Sequence, residues 1–266
     1  MQKIVWLTDI HLNFLPPHGL QRFFGEIAQQ EPDAVLISGD IGEAQSAAYY
    51  LTLLAKHIQR PVYFVLGNHD FYHGSFADVA ENIRSTCAKS EHLIWLNDAG
   101  VIELAPDVAL VGHDSWADGR LGDYARSELM LNDYVLIDDF ARLDKTARGL
   151  LLNQLGDQAA AHFQRVLPDA VSRYRHAFLL THVPPFAEAC LHDGQPGDDE
   201  GLPHFSCKAV GDALREIMAA HPDHQLTVLC GHTHSRARAQ ILPNLRAWAG
   251  GAEYGQPRIE HIFTLE

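Results

Sequence analysis

One local pattern recurs five times and limits this chain more than any other feature. A run of four or five apolar residues stops at a small group of polar residues able to bind metal. Ile4-Val5-Trp6-Leu7 runs into Thr8-Asp9-Ile10-His11, and Ala34-Val35-Leu36-Ile37 into Ser38-Gly39-Asp40. Val62–Leu66 runs into Gly67-Asn68-His69-Asp70, Ala177–Leu180 into Thr181-His182, and Leu226–Cys230 into Gly231-His232-Thr233-His234. Runs this short, rich in β-branched and aromatic side chains and closed by Gly or polar residues, suit strands buried on both faces. Helical spacing fills the gaps: Leu20, Phe23, Phe24 and Ile27; then Ala47, Tyr50, Leu51, Leu54, Ala55 and Ile58; then Val210, Leu214, Ile217 and Met218. Residues 75–88 read as a further helix. Leu151, Leu152, Leu155, Phe163, Val166 and Leu167 predict a longer helix or a broken pair. Strand–helix–strand alternation implies right-handed crossovers and mainly parallel pairing.

Two stretches leave the alternation. Residues 92–112 and 236–265 each hold three short apolar segments with no helix between them, which predicts antiparallel meanders. The expected outcome is α/β: a two-sheet mixed β-sandwich flanked by helices, in four layers α, β, β, α. No repeat or linker divides the chain, so a single domain over 1–266 is expected. Residues 113–145 and 183–205 are too long for passive connections and read as lid-like segments.

Composition narrows the partners. Lys and Arg number 20 against 34 Asp and Glu, a net charge of −14. Phosphate backbones reward positive surfaces, so nucleic acid is an unlikely partner on these grounds. No apolar run reaches the ~18 residues of a membrane span. Asp9 interrupts the N-terminal apolar stretch too early for a signal-peptide core. The four cysteines, Cys87, Cys190, Cys207 and Cys230, lack metal-type spacing and read as reduced thiols in a cytoplasm. Histidine is the unusual count, at 17 residues.

In open parallel sheets, ligands bind beyond the carboxyl ends of the strands. Each polar group taken alone has a bland reading: Ser38-Gly39-Asp40 as a turn or helix cap, Asn68-His69-Asp70 as a turn, His182 as a hydrogen-bonded core histidine. Asp9-x-His11 and His232-x-His234 are stronger, because i and i+2 on extended backbone project to one side. All five at one end of the strands are hard to explain by caps. Two carboxylates, one amide oxygen and four imidazoles besides His69 form an O/N donor set without thiolate. It suits Mn, Fe, Zn, Ni or Co. Seven donors are too many for one ion and natural for two that share a carboxylate.

The order DxH, GD, GNHD, H, GHTH, from Asp9 to His234, resembles the calcineurin-like metallophosphoesterase family. The resemblance implies a two-sheet sandwich. It also implies two divalent or mixed-valence transition-metal ions, the first on Asp9, His11, Asp40 and His234. Asp40, Asn68, His182 and His232 would hold the second, with Asp40 bridging. His69 would lie beside the metals as general acid for the leaving group, with Asp70 fixing its tautomer; a purely structural His69 is the alternative. The chemistry such a pair supplies is a shared water of lowered pKa, attacking as hydroxide, and neutralisation of phosphate oxygens.

The irregular segments are less legible. His113 and Asp114 follow the run Val108–Val111, and reach the rim of the same site or form a polar turn. Arg120 and Arg126 are candidates for a substrate phosphate, against the default of solvated arginines. The acids Asp193, Asp198, Asp199 and Glu200 read as a solvated face. The expected activity is hydrolysis of phosphate mono- or diesters of a small molecule. A nuclease, a phosphoprotein phosphatase and a non-catalytic scaffold are the alternatives, the last disfavoured because no ligand position has decayed.

Overall fold

The computed structural model describes residues 1–266. The first half is built from β1 (Gln2–Leu7), α1 (Pro17–Ala28), β2 (Ala34–Ser38), α2 (Ala47–Ile58), β3 (Val62–Val65), α3 (Phe76–Cys87) and β4 (Leu93–Trp95). Next come β5 (Ile102–Ala105), β6 (Val108–Gly112), α4 (Asp133–Leu136), α5 (Lys145–Arg173) and β7 (His176–Leu180). A small hairpin follows, β8 (Leu191–His192) with β9 (Gln195–Pro196), then α6 (Leu202–Phe205) and α7 (Lys208–Ala219). The chain ends in β10 (Gln225–Cys230), β11 (Ala237–Leu242), β12 (Leu245–Ala249) and β13 (His261–Leu265).

Local chemistry explains the helix starts. Pro17 occupies the first turn of α1, where its missing N–H costs nothing. Ser75 caps α3 by accepting from the Asp78 N–H, and Asp144 caps α5 by accepting from Ala147. The 151–167 pattern belongs to one unbroken helix, α5, which carries Pro168 near its C-terminal end. No helix is long and apolar enough to cross a membrane.

The strands form two large mixed sheets with helices outside. The first has the order β13-β1-β2-β3-β4, and the second β11-β12-β10-β7-β6-β5. Sheet packs on sheet through Ile4, Trp6, Leu36, Leu110, Phe178, Leu229 and Phe263. The alternate residues Val5, Leu7, Val35 and Ile37 share a second core with Phe23, Phe24, Leu51 and Leu54 of α1 and α2. Both faces of β1 and β2 are therefore buried, each side chain contributing about 1.5–3 kcal/mol.

Two antiparallel expectations need correction. β4 pairs parallel to β3, and only β5 with β6 forms a hairpin in 92–112. The last segment does not finish a meander: β13 crosses to the first sheet and pairs antiparallel with β1, while β11 and β12 stay in the second. Short apolar runs fix burial but not partner, because pairing is chosen by the sheet edge available. The result for function is that β1, β2, β3, β7 and β10 all deliver their carboxyl ends to one cleft.

Candidate metal centre

The polar residues beyond these strand ends do not continue the strand. Asp9 (φ 47°), His11 (φ 39°), Asp40 (φ 53°), His232 (φ 71°) and His234 (φ 53°) all adopt left-handed backbone. Non-glycine residues rarely do so, at a cost of about 1–3 kcal/mol each. The convergence of Asp9 with His11, and of His232 with His234, thus comes from kinked turns rather than from alternation on extended chain. Close approach also demands glycine. A Cβ on Gly67 would lie 2.5 Å from the Asp40 nitrogen and 2.7 Å from the His182 ring.

Two groups of donors meet at Asp40. In the first, donor atoms of Asp9, His11, Asp40 and His234 all lie within 4.8 Å of one another. His11 Nε2 is 3.2 Å from His234 Nε2 and 3.6 Å from Asp40 Oδ2, and His234 Nε2 is 3.5 Å from Asp9 Oδ1. In the second, Asn68 Oδ1 is 2.9 Å from His182 Nε2 and 3.0 Å from His232 Nδ1, and His182 Nε2 is 3.4 Å from Asp40 Oδ1. One Asp40 oxygen faces each group.

In the second group acceptors face acceptors. His182 Nδ1 lies 2.9 Å from the Ser38 carbonyl and must donate its proton there, which leaves the Nε2 lone pair aimed at Asn68 Oδ1 and Asp40. Burial pushes His182 below its ordinary pKa. It pushes His11 and His232 down to about 3, with neighbouring imidazoles adding to the effect. All three are neutral at pH 7. Asp40 is driven upward by burial first, then by the charges of Asp9 and Asp70. Burial opposes ionisation of Asp9 as well, but the hydrogen bond from His234 holds it below the usual carboxylate range. No Lys or Arg lines the cleft, whose volume is about 390 Å³. Crowded lone pairs and buried carboxylates without a protein cation fit transition-metal ions of N/O preference.

The amide of Asn68 has a fixed orientation. Its Nδ2 donates to Asp133 Oδ1 (2.8 Å), which also accepts from the Tyr72 hydroxyl (2.7 Å), so its oxygen turns toward His182 and His232. Neither Asp133 nor Tyr72 was legible as a site residue: Tyr72 follows the GNHD block, but Asp133 lies in an acid-rich loop with no distinguishing pattern. His204 was missed too; its carbonyl faces His232 Nε2 at 3.4 Å. So was Tyr254, whose ring packs 4.6 Å from the His11 ring and whose hydroxyl is 3.5 Å from His69 Nε2.

His69 sits at the cleft with Nε2 4.0 Å from Asp40 Oδ2, its ring 4.3 Å from that of Tyr72. Burial pushes its pKa down to about 4. Asp70 does not support it as expected. The Asp70 carboxylate turns away and accepts the N–H groups of Ile41 (2.9 Å), Gly42 (2.8 Å) and Gly67 (2.9 Å). It ties the Asp40 loop to the Asn68 loop. Burial pushes it up to about 7, with those N–H groups working against the shift.

The three expected substrate contacts also lie elsewhere. His113 packs against His162 at 4.9 Å and borders a separate cavity with Trp95 and Trp116; burial pushes it down to about 3. Arg120 is bound to Asp157 at 2.6 and 2.8 Å, and Arg126 is a solvated arginine, 90% exposed. Asp114 spends its carboxylate on the Leu66 N–H, Trp95 Nε1 and Asn97 Nδ2. The segment 113–145 is anchored in the core by Trp116, Tyr134, Ile137 and Phe140. It reaches the cleft through Leu131, Asn132 and Asp133, and 183–205 does so through His192, Asp193 and Phe205.

A two-sheet sandwich that gathers buried Asp and His donors at its strand ends is an α/β fold with a candidate metal centre. The chain belongs to the calcineurin-like phosphoesterase family, whose pattern it matches over residues 2–236. An uncharacterized metallophosphoesterase from Helicobacter pylori (strain ATCC 700392 / 26695) is 32% identical over 127 residues, 40% of this chain and 33% of that protein. The match therefore spans about a third of the relative's length. A phosphopantetheinyl hydrolase from Mycobacterium tuberculosis has a similar fold, with TM-score 0.67 and 13% identity over 95% of this chain and 90% of that one. A dimetal phosphatase from Danio rerio aligns with TM-score 0.60 and 14% identity over 96% and 89%.

Proposed function

We propose that this chain hydrolyses phosphate mono- or diesters of a small molecule with the help of two metal ions. The observation that carries the reading is the division of seven donors into two groups around the two oxygens of Asp40. Asp9, His11, Asp40 and His234 would hold one ion, and Asp40, Asn68, His182 and His232 the other. Bound there, Mn, Fe, Zn, Ni or Co would lower the pKa of water and neutralise phosphate oxygens. The remaining work belongs to the chain. Ser38 and Asp133 fix the orientations of His182 and Asn68, and Asp70 locks the two loops together. His69 would stand beside the leaving oxygen and give it a proton. The negative charge of a phosphate alongside raises its pKa against the effect of burial.

The absence of Lys and Arg from the cleft wall favours a small ester over a polynucleotide. The reading treats 1–266 as one domain, with 113–145 and 183–205 as walls of the cleft. Four unpaired cysteines support a cytoplasmic location. The test is metal stripping followed by separate reconstitution with each of the five metals and assay on nitrophenyl mono- and diesters. Turnover restored by metal is expected. No turnover with any of them, or faster cleavage of DNA or RNA, overturns the reading.

A further inference from the structure

A second cavity adjoins the cleft. It measures about 590 Å³, a size usual for small-molecule sites, and opens onto the cleft through His192, Asp193, Thr233 and Phe205, which line both. Thr233 stands between His232 and His234, so a group in the cavity lies one residue from the metal-binding turn. Leu129, Leu191, Leu202 and Phe205 give the cavity an apolar body. Asp193, Asp198 and Glu200 are its acids, and no Lys or Arg lines it. The wall is built where the two irregular segments meet: Leu129 comes from the first, and the β8–β9 hairpin with α6 from the second.

We propose that this cavity receives the alcohol portion of the substrate, and that it selects phosphate esters of compact aliphatic alcohols bearing an amine. The proposal rests on the phosphoesterase reading of the adjoining cleft. Hydrolysis then adds water's oxygen to phosphorus as the bond to the ester oxygen breaks at the junction, leaving phosphate in the cleft and, once that oxygen takes a proton, the alcohol in the cavity. Leucines and a phenylalanine take the aliphatic chain, and the acidic wall takes the ammonium group. An ester with a second negative group on its alcohol side meets three carboxylates and no Lys or Arg, with His192 beside Asp193. A unit charge about 4 Å from another in water is worth about fivefold in affinity, so inverting the ligand's charge has about a tenfold effect after screening by salt.

The test uses three esters of equal length: hexyl phosphate, 6-aminohexyl phosphate and 6-phosphonooxyhexanoate. Their kcat/KM values are compared in the metal-reconstituted protein and in Asp198→Asn/Glu200→Gln. The amine ester should exceed the carboxylate ester by about tenfold, with the ratio falling toward one in the variant. In parallel, hexylammonium and hexanoate are titrated into the metal-free protein and followed by ligand-observed NMR. Hexylammonium should bind more tightly, and the difference should shrink in the same variant. Equal turnover of the three esters, a preference for the carboxylate, or equal binding of the two ions to the metal-free protein overturns the proposal. If no ester is turned over with any metal, the phosphoesterase reading fails, and the metal-free titration still decides what the cavity binds.

Discussion

Asp133 touches none of the inferred metal-binding nitrogens, yet it turns the Asn68 oxygen toward them. Asp133→Ala should weaken binding at the Asn68 group by about 10–100-fold, the usual worth of such a supporting hydrogen bond, while the Asp9 group retains its ion; metal titration of the variant checks this. Asp70→Asn should behave differently. It sets an amide against three backbone N–H donors, and chemical denaturation should show a loss of about 1–3 kcal/mol. Because Asp70 does not touch the His69 ring, the dependence of rate on leaving group should survive in that variant. His69→Asn should keep the metals and lower turnover by about 10²–10⁴-fold, with a smaller loss for nitrophenolate, which needs no proton to depart. An equal loss for good and poor leaving groups removes the proton-donor role. Asn68, His182 and the DxH and GHTH pairs were legible in the sequence because each follows an apolar run directly. Asp133 and Tyr254 were not, because they come to the cleft from loops whose course no local periodicity records.

The turns between strand and helix are where this fold concentrates its strain. Gly67 lets the β3 turn pass within contact distance of Asp40 and His182, so Gly67→Ala should abolish metal loading and lower the melting temperature together. Gly25, inside α1, has nothing within 4 Å of an added Cβ. Gly25→Ala should stabilise the protein by about 0.4–1 kcal/mol without changing its metal content, which thermal melts and elemental analysis would show. The contrast separates a glycine required by the site from one that is replaceable. Helices α1, α2, α5 and α7 follow from 3.6-residue spacing, and the parallel core strands from their doubly buried runs. The partners of β4 and β13 did not follow, because a three-residue strand and a C-terminal edge strand carry no signal for which sheet they join. Asp9 and His11 were placed together for the wrong local reason: left-handed turns, not an extended strand, aim them.

Across the whole molecule, charge and metal are coupled. His11, His69 and His232 titrate at about 3 to 4 when folded and near 6.5 when unfolded, so they contribute stability above pH 6.5 that is lost as pH falls toward 4. Asp70 and Asp114, raised to about 7 chiefly by burial, work in the opposite sense: their contribution is full below pH 3.8 and is lost as pH rises through 7. Metal requires Asp40 ionised and the imidazoles neutral, so binding competes with protons and strengthens as pH rises. The melting temperature gained on adding metal should therefore be larger at pH 7 than at pH 4, where His11 and His232 begin to protonate; a gain that shrinks over that rise contradicts this coupling. The −14 net charge bears only on the expected sign of the partners, and the cleft and its annex became visible only once 113–145 and 183–205 were folded against the strand ends. The decisive measurement is the number and position of ions in protein reconstituted with excess manganese, read by anomalous scattering and elemental analysis. Two ions per chain are expected, one among Asp9, His11, Asp40 and His234 and one among Asp40, Asn68, His182 and His232, with both lost in Asp40→Ala. A single ion that stays single in excess metal, or two ions that persist without Asp40, would contradict the account.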